Sequence, residues 1–174
     1  MMKNKLGLIA LVAGLSAPAL TLAAPPATTQ GTVGATSTGY VFMQVIIPKL
    51  IRVDGLADIN FGTYNGDGLA RTGTSPACVA QNGAGTYGIV ATSLNGSFAM
   101  TGATALTTIP YTVSWGGTAL TYNTNLGVQT PEGTTLAPCT ATAGKLSVGI
   151  TGAALDAADA DTYTDTLVLT VTPE

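Results

Sequence analysis

The carboxylates near the C-terminal end of the chain are the most concentrated set of potentially reactive side chains. They are Asp156, Asp159, Asp161 and Asp165. Carboxylate oxygens are the ligands that calcium prefers in proteins. The four residues lack the spacing and the glycine of an EF-hand loop, so their pattern favours a solvated loop over a calcium site.

Residues for acid–base and nucleophilic catalysis are scarce. The chain contains no histidine, which removes the commonest general base near neutral pH and the commonest zinc ligand. A serine nucleophile needs a base, and neither Lys49 nor Lys145 stands at a spacing typical of a Ser–Lys pair. The glycine-rich stretch 65–68 is followed by no lysine and opens no helix, unlike a phosphate-binding loop. We therefore expect a protein that is not an enzyme and needs no metal or cofactor.

The N-terminal stretch has the layout of a secretory signal peptide. Lys3 and Lys5 supply positive charge, residues 6–15 form an apolar run, and residues 21–23 form a small-residue cleavage site. The apolar run is shorter than a membrane-spanning helix requires. We expect residues 1–23 to be removed during export through a bacterial periplasm, leaving a chain with no stable membrane span.

The charge and the cysteines agree with an exported protein. Beyond residue 23 the chain has four basic and nine acidic residues, and this balance argues against nucleic acid as a partner, because phosphate binding needs clustered Lys and Arg. Cys78 and Cys139 are the two cysteines. An even count in an exported chain indicates a disulfide. Trp115 follows Val113 in a strand, so its pattern favours core packing over stacking on a sugar.

The sequence predicts that these residues lie on or between short strands, which are separated by glycine-containing turns. Strands are predicted at 40–47, 50–53, 59–64, 86–92, 97–100, 107–115, 119–122, 145–151 and 163–172. No segment carries an apolar stripe of useful helical length, although residues 153–160 allow one turn of helix. Regularly spaced short strands predict an all-β sandwich.

Two apolar segments lie near opposite ends of the chain. Residues 24–39 form a flexible leader of Pro, Thr, Gly and Ala, and residues 40–47 follow it as a dense β-forming run. One face of that run is apolar at every second position: Val41, Met43, Val45 and Ile47. Near the C-terminal end, apolar residues alternate with polar ones, which predicts a strand with one buried face. Its apolar residues are Leu167, Leu169 and Val171.

Short motifs follow this leader in a definite order. They are NFGTY at 60–64, a cysteine before GTY at 85–87, IPY at 109–111 and YTDTL at 163–167. In this order, and with an apolar strand before them, they resemble the archaic chaperone–usher pilins of the spore coat protein U domain type. The resemblance covers nearly the whole chain after the signal peptide.

The resemblance implies an immunoglobulin-like sandwich over residues 48–174 that lacks its last strand and so has an open apolar groove. In such pilins a periplasmic chaperone lends a strand to the groove. At the outer-membrane usher, the N-terminal segment of the next subunit replaces that strand. Residues 40–47 would then be the donor strand, and the strand with Leu167, Leu169 and Val171 would edge the groove.

The resemblance also implies a function. The chain would be a structural subunit of a fimbrium at the cell surface, supporting adhesion or biofilm formation, with neighbouring pilin subunits as its partners. The alternative is a secreted monomeric β-sandwich that binds glycan or a cell surface. In that alternative, residues 40–47 would pair within their own domain.

Overall fold

The computed structural model describes residues 28–174. The chain divides into two compact units, one that ends at Ile46 and one from Ile47 to Glu174. The expected signal peptide, 1–23, lies outside the described residues, as does the start of the leader. In the first unit, the Tyr40 main-chain N–H donates to the Thr29 carbonyl oxygen at 2.9 Å, which makes an isolated antiparallel bridge.

The second unit is built from ten strands and one short helix. In chain order these are β1 (Ile51–Asp54), β2 (Arg71–Gln81), β3 (Tyr87–Ser93), β4 (Ala99–Gly102), β5 (Thr108–Pro110), β6 (Thr112–Trp115), β7 (Thr118–Leu120), β8 (Thr142–Ile150), α1 (Gly152–Asp156), β9 (Tyr163–Thr164) and β10 (Leu167–Pro173). Every strand pairing among them is antiparallel. The fold is all-β and sandwich-like, as the sequence predicts.

The strands form three sheets. The largest has the order β1-β2-β8-β6-β7, a second pairs β10 with β3, and a third has the order β5-β4-β9. The pairing of β2 with β8 shifts register between Ser75 and Ala77. Pro76 lies at that shift, and proline has no N–H to donate to a ladder.

The core is centred on Trp115 and Tyr87, which are both 0 % exposed. The Trp115 indole N–H donates to the Tyr87 hydroxyl oxygen at 2.9 Å. Lys145 Nζ lies 5.5 Å from the centre of the Trp115 ring and forms an ion pair with Glu132 at 2.6 Å. The prediction that Trp115 packs in the core is confirmed.

Replacing Tyr87 with phenylalanine is expected to destabilise the fold by about 1–3 kcal/mol, because it leaves the buried Trp115 N–H without an acceptor. Urea denaturation followed by Trp115 fluorescence measures this loss. Tyr122→Phe is the matched control, since no hydrogen bond involves the Tyr122 hydroxyl in the described chain. An equal midpoint for Tyr87→Phe and wild type would show that the bond contributes nothing.

The two cysteines form the predicted disulfide. Cys78 lies in β2 and is fully buried, and Cys139 lies in the loop before β8, 61 residues further along. The bridge therefore ties this loop to β2, which lies between β1 and β8 in the largest sheet.

Several elements differ from the strands predicted by sequence pattern. Residues 40–47 form no strand beyond the isolated bridge at Tyr40, and the strand predicted at 107–115 is divided at Tyr111 into β5 and β6. The sequence pattern does not predict strand β2, because Gly73 and Pro76 interrupt its β-forming residues. Residues 59–64 form no strand, although Ile59 packs so closely on β2 that a Cβ at Gly73 would lie 2.1 Å from its Cγ2 atom. The strand predicted at 163–172 is interrupted at Asp165 and Thr166, where the Asp165 carboxylate accepts hydrogen bonds from Ser93 and Tyr111.

Candidate functional site: an apolar groove beside an open strand edge

Strand β10 has one paired edge and one open edge. Among the described strands it pairs with β3 alone, from Leu167 opposite Ser93 to Pro173 opposite Tyr87. Just outside this register, Leu94 N–H donates to the Thr166 oxygen at 3.1 Å. In an antiparallel pair, hydrogen-bonded and non-hydrogen-bonded residues alternate. The even-numbered residues of β10 therefore bond to β3, and the odd-numbered ones direct their main-chain groups to the open edge.

Burial alternates along β10. Leu167, Leu169 and Val171 are half-buried, whereas Val168 faces outward and is exposed. Leu167 and Leu169 line a groove of about 1140 Å³, and Val171 packs against the core. The same residues thus present both an apolar side chain and unpaired main-chain groups to whatever occupies the groove.

The rest of the groove comes from distant parts of the second unit. Segment 56–64, strand β8, residues 158–166 and strand β10 all line it. The apolar side chains that face the groove include Ile59, Phe61, Leu146, Val148, Leu167 and Leu169. Sequence reasoning did not assign segment 56–64 to the groove. The alternation of Ile59 and Phe61 was the available signal, but it does not say which neighbour they face.

The segment around Lys49 is bonded to two other parts of the second unit. Lys49 Nζ donates to the main-chain oxygen of Glu174, directly after β10. Asn82 fixes the chain on either side of Lys49: its Oδ1 accepts from Leu50 N–H and its Nδ2 donates to the Pro48 oxygen, both at 2.7 Å. The residues that follow the proposed donor strand are therefore anchored to the fold.

A hydrogen-bonded carboxylate stands where β10 begins. Asp165 Oδ2 accepts from the Tyr111 hydroxyl at 2.7 Å and from the Ser93 hydroxyl at 2.6 Å, while Oδ1 accepts from Thr166 N–H at 2.6 Å. Burial, and then the bond to Asp165, raise the pKa of Tyr111 above its usual value. These contacts turn the chain at 165–166 and explain why the strand predicted at 163–172 is divided.

The acidic stretch shows no arrangement for a metal ion. Asp161 Oδ2 accepts from the main-chain N–H groups of Thr104 and Ala105, and Oδ1 accepts from Thr162 N–H. These bonds, led by that of Ala105, lower the pKa of the Asp161 carboxyl. Across residues 28–174, the one group of three potential ligand atoms within 4.8 Å is Asp54, Cys78 and Cys139, and the two sulfur atoms there are joined in the disulfide.

The side chains of the proposed donor strand are exposed. Val41, Met43, Val45 and Ile47 are between 73 and 85 % exposed. Residues 41–47 belong to no strand. Across the described part of the chain, no helix has the length and apolar character needed to cross a membrane.

Comparison with known protein families and with curated proteins gives no match for this chain.

Proposed function

We propose that this chain is a structural subunit of a bacterial surface fimbrium, polymerised by donation of residues 40–47 from one copy to the groove of the next. The observation that carries the proposal is the open edge of β10 beside an apolar groove. An extended segment that adds to such an edge gains main-chain hydrogen bonds, and side-chain pockets at alternate positions select its sequence.

The proposed donor and the acceptor edge are similar in length and pattern. Strand β10 has seven residues and the proposed donor, residues 40–47, has eight, so each spans about 20–27 Å when extended. The donor carries an apolar residue at every second position, as a groove with one apolar floor requires. Its charge is zero, because residues 40–47 contain no Lys, Arg, Asp or Glu.

Burial of the donor's apolar side chains would supply the main driving force for this exchange. Full burial of four apolar side chains contributes about 6–12 kcal/mol before the costs of association and ordering. An unassembled subunit with both surfaces exposed would be prone to aggregate. This favours a route in which a periplasmic chaperone covers the groove and an outer-membrane usher directs the exchange, as the resemblance implies.

The test compares the exported chain with and without residues 24–47 by size-exclusion chromatography with light scattering. We expect the complete chain to form polymers, or a complex with a chaperone, and the truncated chain to bind no second copy. A complete chain that is a stable monomer, and that unfolds when residues 24–47 are removed, would contradict the proposal. That result would favour the secreted glycan-binding module.

A further inference from the structure

Asparagine is followed directly by glycine at three places in the sequence. The pairs are Asn65–Gly66, Asn82–Gly83 and Asn95–Gly96. Asparagine is one of the thermolabile residues of proteins. When glycine follows it, no side chain hinders the approach of the next main-chain nitrogen to the side-chain amide. The three pairs share this local chemistry, so a large difference in their reactivity has to come from the fold.

The second of these pairs is held by three hydrogen bonds. Asn82 Oδ1 accepts from Leu50 N–H, and Asn82 Nδ2 donates to the Pro48 oxygen, both at 2.7 Å. The Gly83 N–H donates to the Thr134 oxygen at 3.0 Å. The Asn82 amide cannot turn toward the Gly83 nitrogen unless these three bonds open.

The third pair is held in the same way, although Asn95 is exposed. Asn95 Nδ2 donates to the main-chain oxygens of Ala99 and Thr164, both at 3.1 Å. The Gly96 N–H donates to the Ser93 oxygen at 3.1 Å. Three hydrogen bonds must therefore open at this pair too, so exposure by itself does not make an Asn–Gly pair reactive.

The first pair is held by none. Asn65 and Gly66 are both exposed, and they lie between β1 and β2, outside any strand. The Asn65 side chain and the Gly66 N–H form no hydrogen bond with any residue in the described range 28–174. A Cβ built on Gly66 would have no atom within 4 Å. The amide and the nitrogen that attacks it are therefore both free to move.

We propose that Asn65 is a site of spontaneous covalent modification, at which its side-chain amide is replaced by a carboxylate. The Gly66 main-chain nitrogen bonds to Asn65 Cγ and loses its proton. The Cγ–Nδ2 bond breaks, and ammonia leaves with that proton. Water then adds to one of the two carbonyl carbons of the resulting ring and breaks the bond of that carbon to nitrogen. The product is aspartate or isoaspartate at position 65, and the reaction consumes water alone. This inference does not depend on the proposed function.

The modification changes a segment whose flanking residues are fixed. The Tyr64 hydroxyl donates to the Asp156 carboxylate and accepts from Gly68 N–H at 2.8 Å. Asp67 pairs with Arg71 at 2.6 Å. Isoaspartate at position 65 adds one carbon to the main chain between Tyr64 and Gly68, and either product adds a negative charge two residues before Asp67. We expect the isoaspartate form to weaken the bond from Gly68 N–H, so that this amide proton exchanges faster with solvent.

The test incubates the full exported chain at mildly alkaline pH and follows the three positions by peptide mass spectrometry. Replacement of ammonia by water changes the mass of the peptide that contains the modified residue. We expect position 65 to convert roughly 100-fold faster than positions 82 and 95, because three hydrogen bonds must open at each of those two positions. In concentrated urea, where these bonds are absent, the three positions should convert at similar rates.

Replacing Asn65 with glutamine is the matched control. Glutamine keeps the side-chain amide but requires a larger ring for the same attack, so the reaction at position 65 should stop. The wild type should gain acidic species during incubation, measured by isoelectric focusing, and Asn65→Gln should gain almost none. Positions 82 and 95 should stay as slow in this variant as in the wild type.

Three results would overturn the inference. Equal conversion at the three positions of the folded chain would show that the hydrogen bonds do not protect Asn82 and Asn95. Conversion at position 65 in urea but not in the folded chain would show that the fold holds the Asn65 amide away from the Gly66 nitrogen. A preference for position 65 that persists in urea would assign it to neighbouring residue types and not to the fold. None of these results bears on the proposed donor strand.

Discussion

Replacing Val45 with asparagine is expected to reduce assembly by more than about 100-fold. Val45 is exposed in the single chain, so its substitution leaves the fold of the second unit intact. In an assembled joint the same side chain would lie in an apolar groove. Loss of its burial costs about 1.5–3 kcal/mol, and enclosure of an unpartnered amide costs about 1–3 kcal/mol more. Light scattering of the purified chain as a function of concentration measures the effect.

Gln44→Asn is the matched control for this substitution. Gln44 stands on the opposite face of the predicted donor strand from Val45, because side chains alternate along an extended segment. We expect Gln44→Asn to assemble as well as the wild type. Equal assembly of both variants would show that the face with Val45 is not buried in the joint, and would contradict the proposed donor strand.

Removing the disulfide is expected to lower the free energy of unfolding by about 4 kcal/mol, the largest single change in stability that we predict. The bridge joins residues 61 apart, so it restricts a long loop of the unfolded chain. Cys78→Ala with Cys139→Ala is the appropriate variant, because Cys78 is fully buried and alanine leaves no unpartnered hydroxyl there. Urea denaturation of both proteins under oxidising conditions measures the difference.

A second measurement separates the loss of the cross-link from the loss of packing. Reducing the wild-type protein breaks the same bridge but retains both sulfur atoms. We expect it to lose most of the stability that the double variant loses. A reduced wild type as stable as the oxidised one would show that the stabilisation comes from side-chain packing at Cys78 and not from the closed loop.

Local patterns in the sequence predict the fold class, the disulfide and the buried position of Trp115. Strand β2 escapes prediction because Gly73 and Pro76 disfavour a strand locally, while pairing with β1 and β8 imposes one. The break before β10 escapes it because the contacts of Asp165 with Ser93 and Tyr111 come from distant strands.

The same contrast between local patterns and long-range contacts applies to the candidate site. Alternation within one strand indicates the apolar face of Leu167 and Leu169, and composition indicates the apolar segment 40–47. The contribution of Ile59 and Phe61 to the groove depends on how the chain folds between β1 and β2. This property is not local, so it is not visible in the sequence.

Cross-linking between two variants tests most directly whether residues 40–47 of one copy lie beside β10 of another. The variants are Gln44→Cys and Val168→Cys, both at outward-facing positions, and neither disturbs the Cys78–Cys139 bridge. Side chains on one face of neighbouring strands lie about 5–8 Å apart, within reach of a short bismaleimide. The controls are each single variant alone and a double variant diluted with an excess of wild type.

We predict a cross-linked pair of chains when the two single variants are assembled together, with no such pair in either variant alone. In the double variant diluted with an excess of wild type, most neighbours lack the partner cysteine, so cross-linking should fall in proportion to the dilution. Efficient cross-linking within single copies of the double variant, with none in the mixture of single variants, would contradict exchange between copies. Residues 40–47 would then complete their own domain, and the chain would be a self-contained β-sandwich.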